Sequence, residues 1–203
     1  MTASLPTAHE TVIRSELLRT LAAEFADDST TLLLDEFGIL EGRNRVDLAA
    51  VNGALHGYEI KSERDTLTRL GAQAQAYARV FDYVTLVATS RHLEAARPRL
   101  PDWWGLARAE PSGDRVEICQ VRKARRNSSV DPTAIVQLLW REEAVEILHD
   151  LGVRRGVSSK PRRIVWQRLI EAIDSTEILR LYVRETIKGR SDWRTSTPAP
   201  AAP

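Results

Sequence analysis

The chain has a single cysteine, Cys119, in 203 residues. No disulfide can form within it, which suits a reducing compartment. The alternating apolar residues around Cys119 mark it as a buried, inert thiol. The four histidines (His9, His56, His92 and His149) are scattered, with no HxxxH and no Cys/His pair, so a zinc site is not expected. No glycine-rich phosphate loop is present. No apolar run approaches bilayer length, and the N-terminus lacks a signal-peptide layout, so a cytoplasmic chain with no membrane contact is expected. Neither sign of charge prevails: 29 Lys and Arg face 28 Asp and Glu, a net of +1. Global charge therefore gives no signal for or against nucleic acid.

Apolar residues make up 43% of the chain, enough for a core, and the length suits one domain or one domain with an appendage. Positive charge is clustered locally, at Arg122, Lys123, Arg125 and Arg126, and again at Arg154, Arg155, Lys160, Arg162 and Arg163. Both clusters suit phosphate contacts.

Helical spacing of Val12, Ile13, Leu17, Leu18, Leu21, Ala22 and Phe25 predicts a first helix, with Thr7 and Glu10 as a capping box. Strands are predicted at 30–38, 43–51 and 54–62. The last two are joined by Asn52-Gly53, a strong hairpin signal. Asp65 is the expected cap of a helix over 66–81. A β-branched strand at 82–89 follows, then a short helix broken by Pro98 and two strands at 103–111 and 114–124. Residues 127–133 read as a linker. Three amphipathic helices are then expected, over 132–152, 158–174 and 175–190, before a low-complexity tail.

The stretch "GYEIKSERDTL" (57–67) carries the chemistry. Residues two apart on a strand share a face, so Glu59 and Lys61 point one way and Tyr58 and Ile60 the other. Taken alone, this is an ion pair on an exposed face. A two-residue Asn52-Gly53 turn pairs Val51 with Ala54, which puts Asp47 opposite Tyr58, beside Glu59. A bulge near His56-Gly57 would bring Asp47 onto the same face. Two converging carboxylates repel unless a cation lies between them. An all-oxygen set suits Mg²⁺ or Mn²⁺, which can activate water for phosphodiester hydrolysis. Gln73 and Tyr77 share one helix face, with Arg69 one turn earlier. Arg45 shares the face of Asp47 and is a candidate phosphate contact. Trp103-Trp104 could stack bases, although burial on strands is the simpler reading.

Asp47 followed by Glu59-Ile60-Lys61 after a hairpin resembles the D…(D/E)xK signature of the PD-(D/E)XK nuclease superfamily. Gln73 and Tyr77 are similar to the QxxxY motif of its lambda-exonuclease and RecB-like branch. The wider string resembles a family of small, uncharacterised bacterial and phage-borne members, a likeness that runs on through "LLWREEAVEIL" to Arg190 and Trp193. Val46 stands where the motif's name has Pro. The resemblance implies a restriction-endonuclease-like α/β fold, an αβββαβ core with a central mixed sheet over 8–125. A helical extension would occupy 131–193 and a disordered tail 194–203. It also implies a deoxyribonuclease in which Asp47, Glu59 and the Ile60 carbonyl hold Mg²⁺ or Mn²⁺ with Glu16, Lys61 positions the water, and Gln73 and Tyr77 shape the site.

The expected partner is nucleic acid, DNA first, together with a second copy of the chain or a partner protein. Two other readings remain open. One is a nucleic-acid-binding or assembly factor that keeps the fold without catalysis. The other is a metal-free scaffold with an acidic face for a protein.

Overall fold

The computed structural model describes residues 10–113 and 115–190. The expected Thr7 cap, Trp193 and the 194–203 tail lie outside these residues. The chain runs α1 (Glu10–Glu24), β1 (Leu32–Ile39), β2 (Asn44–Val51), β3 (Leu55–Lys61), α2 (Leu70–Ala78), β4 (Tyr83–Ala88), α3 (Ser90–Ala96), β5 (Gly105–Ser112) and β6 (Arg115–Arg122). Helices α4 (Pro132–Ile135), α5 (Arg141–Asp150), α6 (Arg162–Ala172) and α7 (Thr176–Lys188) follow. The six strands form one mixed sheet in sequence order. The hairpins β1–β2–β3 and β5–β6 are antiparallel, while β3–β4 and β4–β5 are parallel.

The sheet separates two apolar layers. On one face Ile13, Leu17 and Leu21 of α1 pack on Leu48, Tyr58, Ile60 and Val87. The other face carries a larger cluster that runs without a break from Phe37 and Leu86 through Tyr77 and Trp104 to Leu148, Leu169, Val183 and Ile187. The helices after β6 therefore share the core of the sheet.

Two expectations change in detail. The hairpin turn uses three residues: the Asn52 N–H donates to the Ala54 carbonyl and the Asn52 side chain accepts from the Ala54 N–H, both at 3.0 Å. Val51 thus pairs with Leu55 and Leu48 with Tyr58, a shift of one residue that moves Asp47 towards Glu59. Further on, Asp65 does not cap α2. Its carboxylate closes a turn on the N–H and hydroxyl of Ser62, at 2.7 and 2.6 Å, and α2 begins only at Leu70.

The single helix expected over 132–152 is broken. Leu139 and Trp140 are extended, the Glu143 carboxylate accepts from the Trp140 N–H at 2.6 Å, and α5 starts anew. Arg190 ties this break down. It pairs with Glu143 at 2.7 Å, donates to the Leu138 carbonyl and lies over the Trp140 ring.

A buried acid joins the sheet to the last helix. Asp82 is 2% exposed and accepts from the Leu55 N–H at 2.8 Å. Arg180 and Arg184 of α7 approach its two oxygens at 3.4 and 3.8 Å. Asp82→Ala should cost about 3–5 kcal/mol, because it strands the buried Arg184 and leaves the buried Arg180 with Glu177 alone. Urea unfolding followed by circular dichroism measures that loss.

Candidate functional site

Strand β3 runs through the middle of the sheet, between β2 and β4, and its polar face turns towards α2. Glu59 is 2% exposed there. A carboxylate this deep is tolerable only if donors replace the water it has lost. Three do so: Lys61 Nζ at 2.6 Å and Gln73 Nε2 at 2.6 Å on Oε1, and Tyr77 Oη at 2.6 Å on Oε2. The Tyr77 hydroxyl also lies 2.7 Å from the Arg45 carbonyl, and its ring stacks on Trp104 at 6.0 Å. Burial, followed by the charge of Glu59, pushes the Tyr77 phenol up, so it stays a donor. The i,i+4 spacing expected of Gln73 and Tyr77 thus delivers both to one carboxylate. Trp104 is fully buried beneath them.

Asp47 reaches the same place by a different route. Val46 and Ala49 both pack in the larger cluster although they are three residues apart, so β2 changes facing at Asp47. Opposite this point Glu36 adopts a left-handed φ of 53°, uncommon for a residue with a side chain. Asp47 Oδ2 then accepts from the Ile60 N–H at 2.6 Å, and Oδ1 from Arg14 at 3.2 Å. Burial, followed by repulsion from Glu59, pushes Asp47 up to about 7, against the Ile60 N–H and the charge of Arg14.

Arg14 is the residue that sequence reasoning missed. It donates to Asp35 at 2.5 Å, to the Asp47 carbonyl at 2.9 Å and to Glu10 at 2.7 Å, and pairs with Glu36 at 2.9 Å. Burial opposes its charge, but the bond to Glu10 and the charges of Asp47 and Asp35 hold the guanidinium more firmly protonated. Its only trace in the sequence is the i,i+4 spacing from Glu10. Glu16 was the expected contribution of this helix. It pairs instead with Arg19 at 2.5 Å and does not line the cleft.

The cleft itself, of about 800 Å³, is lined by Asp47, Glu59, Ile60, Lys61 and Gln73, with Arg45 and Arg69 at its sides. Arg45 is paired with Glu36. The donor set fits a resident Mg²⁺ or Mn²⁺ poorly. Both carboxylates are engaged by internal donors, and a guanidinium already serves as the cation at Asp47. Among the described residues no group of three or more His, Cys, Asp or Glu side chains is arranged to hold a metal ion.

A second groove, of about 700 Å³, adjoins the cleft and shares Arg43 and Asn44 with it. Arg79 and Arg163 line it with the amides of Gln137 and Gln167, and Glu41 is its one acid. Of the two basic clusters seen in the sequence, the second contributes Arg163 to this groove, where it pairs with Glu41 at 3.3 Å, as Arg162 does at 2.6 Å. In the first, Arg122 and Arg125 are spent on backbone carbonyls of the 101–104 loop, and Arg126 on Glu177.

The sequence pattern described as Bacteriophage P4 protein cII matches residues 4–196. The chain belongs to that family. Protein cII of Enterobacteria phage P4 is 26% identical over 125 residues, 62% of this chain and 47% of that protein. The chain thus spans about half the length of the curated relative it matches. A protein of unknown function from Silicibacter pomeroyi aligns with a TM-score of 0.43 at 21% identity, covering 74% of this chain and 94% of that one. The expectation of a metal-dependent deoxyribonuclease is corrected by this membership: a P4 cII family chain is matched to phage protein cII and not to a hydrolase. Glu59 and Lys61 are paired at 2.6 Å inside the sheet. None of the described helices is long and apolar enough to cross a membrane.

Two outcomes test this cluster. Tyr77→Phe removes one donor from a buried carboxylate and should cost about 1–3 kcal/mol. Lys61→Ala should cost more, about 3–5 kcal/mol, because it leaves Glu59 without its counter-charge. Thermal melts rank the two.

Asp47 makes stability depend on pH. Its folded value lies above its ordinary 3.8, so ionisation costs the folded state. The contribution is complete below about pH 4 and is lost as pH rises through about 7. Melting temperatures between pH 4 and pH 8 should fall more steeply for the wild type than for Asp47→Asn.

Proposed function

We propose that the chain is a non-catalytic nucleic-acid-binding factor that grips duplex DNA by its phosphates. The observation that carries this reading is the basic groove. Arg43, Arg79 and Arg163 converge on it from the β1–β2 turn, the end of α2 and the start of α6; Arg79 is paired with Asp131 at 2.8 Å and Arg163 with Glu41 at 3.3 Å. Arg43 is exposed and forms no ion pair with a described residue. Arg154, Arg155 and Lys160 lie exposed on the loop that leads into α6 and extend the positive surface. Arginine with amide side chains is a set that positions a phosphate backbone without reading its sequence.

On this reading the helix–three strands–helix–strand order is a restriction-endonuclease-like, PD-(D/E)XK-type framework kept for binding. Its support is that element order and the convergence of Asp47, Glu59, Lys61 and Gln73 on one cleft, with Tyr77 bonded to Glu59 beneath it. Residues 8–125 would be the framework and 131–193 the helical extension, which contributes Arg163 to the groove. The setting would be cytoplasmic.

Fluorescence anisotropy with a labelled duplex checks the proposal. Binding should weaken steeply with salt. The Arg43→Ala/Arg163→Ala double variant should bind about tenfold more weakly, with a salt slope shallower by about 2. The duplex should stay intact in Mg²⁺ or Mn²⁺. Absence of salt-dependent binding would sink the proposal, and so would cleavage that disappears in Lys61→Ala.

A further inference from the structure

Helix α1 leaves part of its sheet face uncovered. Between its C-terminal half and strands β3 to β6 lies a cavity of about 380 Å³, within the range of roughly 300–1,000 Å³ usual for small-molecule sites. Much of its lining is apolar, from Leu17 and Leu21 of α1, Phe25 in the turn after it, and Val87 and Ile118 of the sheet. Phe25 and Tyr83 are only half-buried and so remain open to a ligand.

A polar trio interrupts this lining. His56 Nε2 lies 2.9 Å from Thr85 Oγ1, and Tyr58 Oη lies 3.2 Å from His56 Nδ1. The His56 and Tyr58 rings stack at 4.2 Å, and Tyr83 tilts against His56 at 5.7 Å. Burial pushes His56 down to about 4, so its ring is neutral near pH 7 and carries one N–H. The bookkeeping of protons is then fixed. With the proton on Nε2, Tyr58 donates to Nδ1 and the Thr85 hydroxyl proton is unspent within the trio. With the proton on Nδ1, Thr85 donates to Nε2 and the Tyr58 proton is unspent. Either tautomer presents one hydroxyl donor.

The exposed edge of the cavity is positive on balance. Lys123 and Arg122 line it against Glu24. Arg122 is held by the carbonyls of Trp104 and Pro101. Lys123 is exposed and forms no ion pair with a described residue.

We propose that this cavity binds a small planar aromatic anion, whose ring lies among Phe25, Tyr83 and the aliphatic lining, whose acceptor atom meets the trio's spare hydroxyl, and whose charge faces Lys123. The site lies on the opposite face of the sheet from the basic groove and does not depend on nucleic-acid binding.

The probe is 1-anilinonaphthalene-8-sulfonate, an aromatic anion whose emission rises in an apolar site. Titration of the full chain should give saturable binding of one probe per chain. Thr20→Trp, which places a large ring into the cavity from α1, should abolish that binding while the far-ultraviolet circular dichroism is retained. Lys123→Glu should weaken it about fivefold, the upper range of one exposed ion pair. Arg91→Glu, an exposed charge away from the cavity, should leave it unchanged. Emission that never saturates overturns the proposal, as does a Thr20→Trp or Lys123→Glu variant that binds as tightly as the wild type.

Discussion

A negative charge buried at the centre of a sheet constrains everything around it. Glu59 stands on β3 with strands on both sides and α2 above it, where an unpaired carboxylate would cost several kcal/mol. The fold answers with three donors from two elements. Lys61 comes from the same strand, and Gln73 and Tyr77 come from the helix that follows. This fixes the rotation and axial position of α2, since Gln73 and Tyr77 must both reach one carboxyl group. It also fixes Trp104, which lies flat against Tyr77, and through it the approach of β5. The polar cluster and the apolar core are therefore one construction.

The same cluster shows how a motif can be read correctly and its chemistry wrongly. Asp47, Glu59, Lys61, Gln73 and Tyr77 converge as expected, Glu16 does not, and the alternation that puts Glu59 with Lys61 holds. What composition and spacing could not reveal is how far each group is already satisfied. Glu59 spends its oxygens on internal donors, and Asp47 spends its own on the Ile60 N–H and on Arg14. Membership of the P4 cII family removes the enzymatic reading, and the one proposed in its place centres on the basic groove. That groove was invisible as a unit in the sequence: Arg43, Arg79 and Arg163 lie far apart along the chain, and only the docking of α6 against the β1–β2 turn unites them.

Element identity was legible wherever period and punctuation agreed. The i,i+4 series from Ile13 to Leu21 gives α1, and the β-branched run from Tyr83 gives β4. Details failed where a side chain competed with the backbone. Asn52 drew Ala54 into the turn and shifted the register by one residue. Asp65 closed a turn on Ser62 instead of capping a helix. Glu143 took the Trp140 N–H and divided a helix that apolar spacing alone would have left whole. Such local side-chain bonds are strong enough to redirect a chain and too dependent on context to be read from residue order.

The joint between Asp82 and α7 has a consequence in time. Asp82 holds the first N–H of β3 and waits for guanidinium groups that arrive almost a hundred residues later, and the larger apolar layer likewise stays open until Val183 and Ile187 close it. A chain emerging from the ribosome can hydrogen-bond its strands and lay α2 on the sheet early, yet that apolar layer stays incomplete until the last helix has been made. Contacts this distant slow folding. Until then the nascent chain exposes part of that apolar layer to whatever else is present.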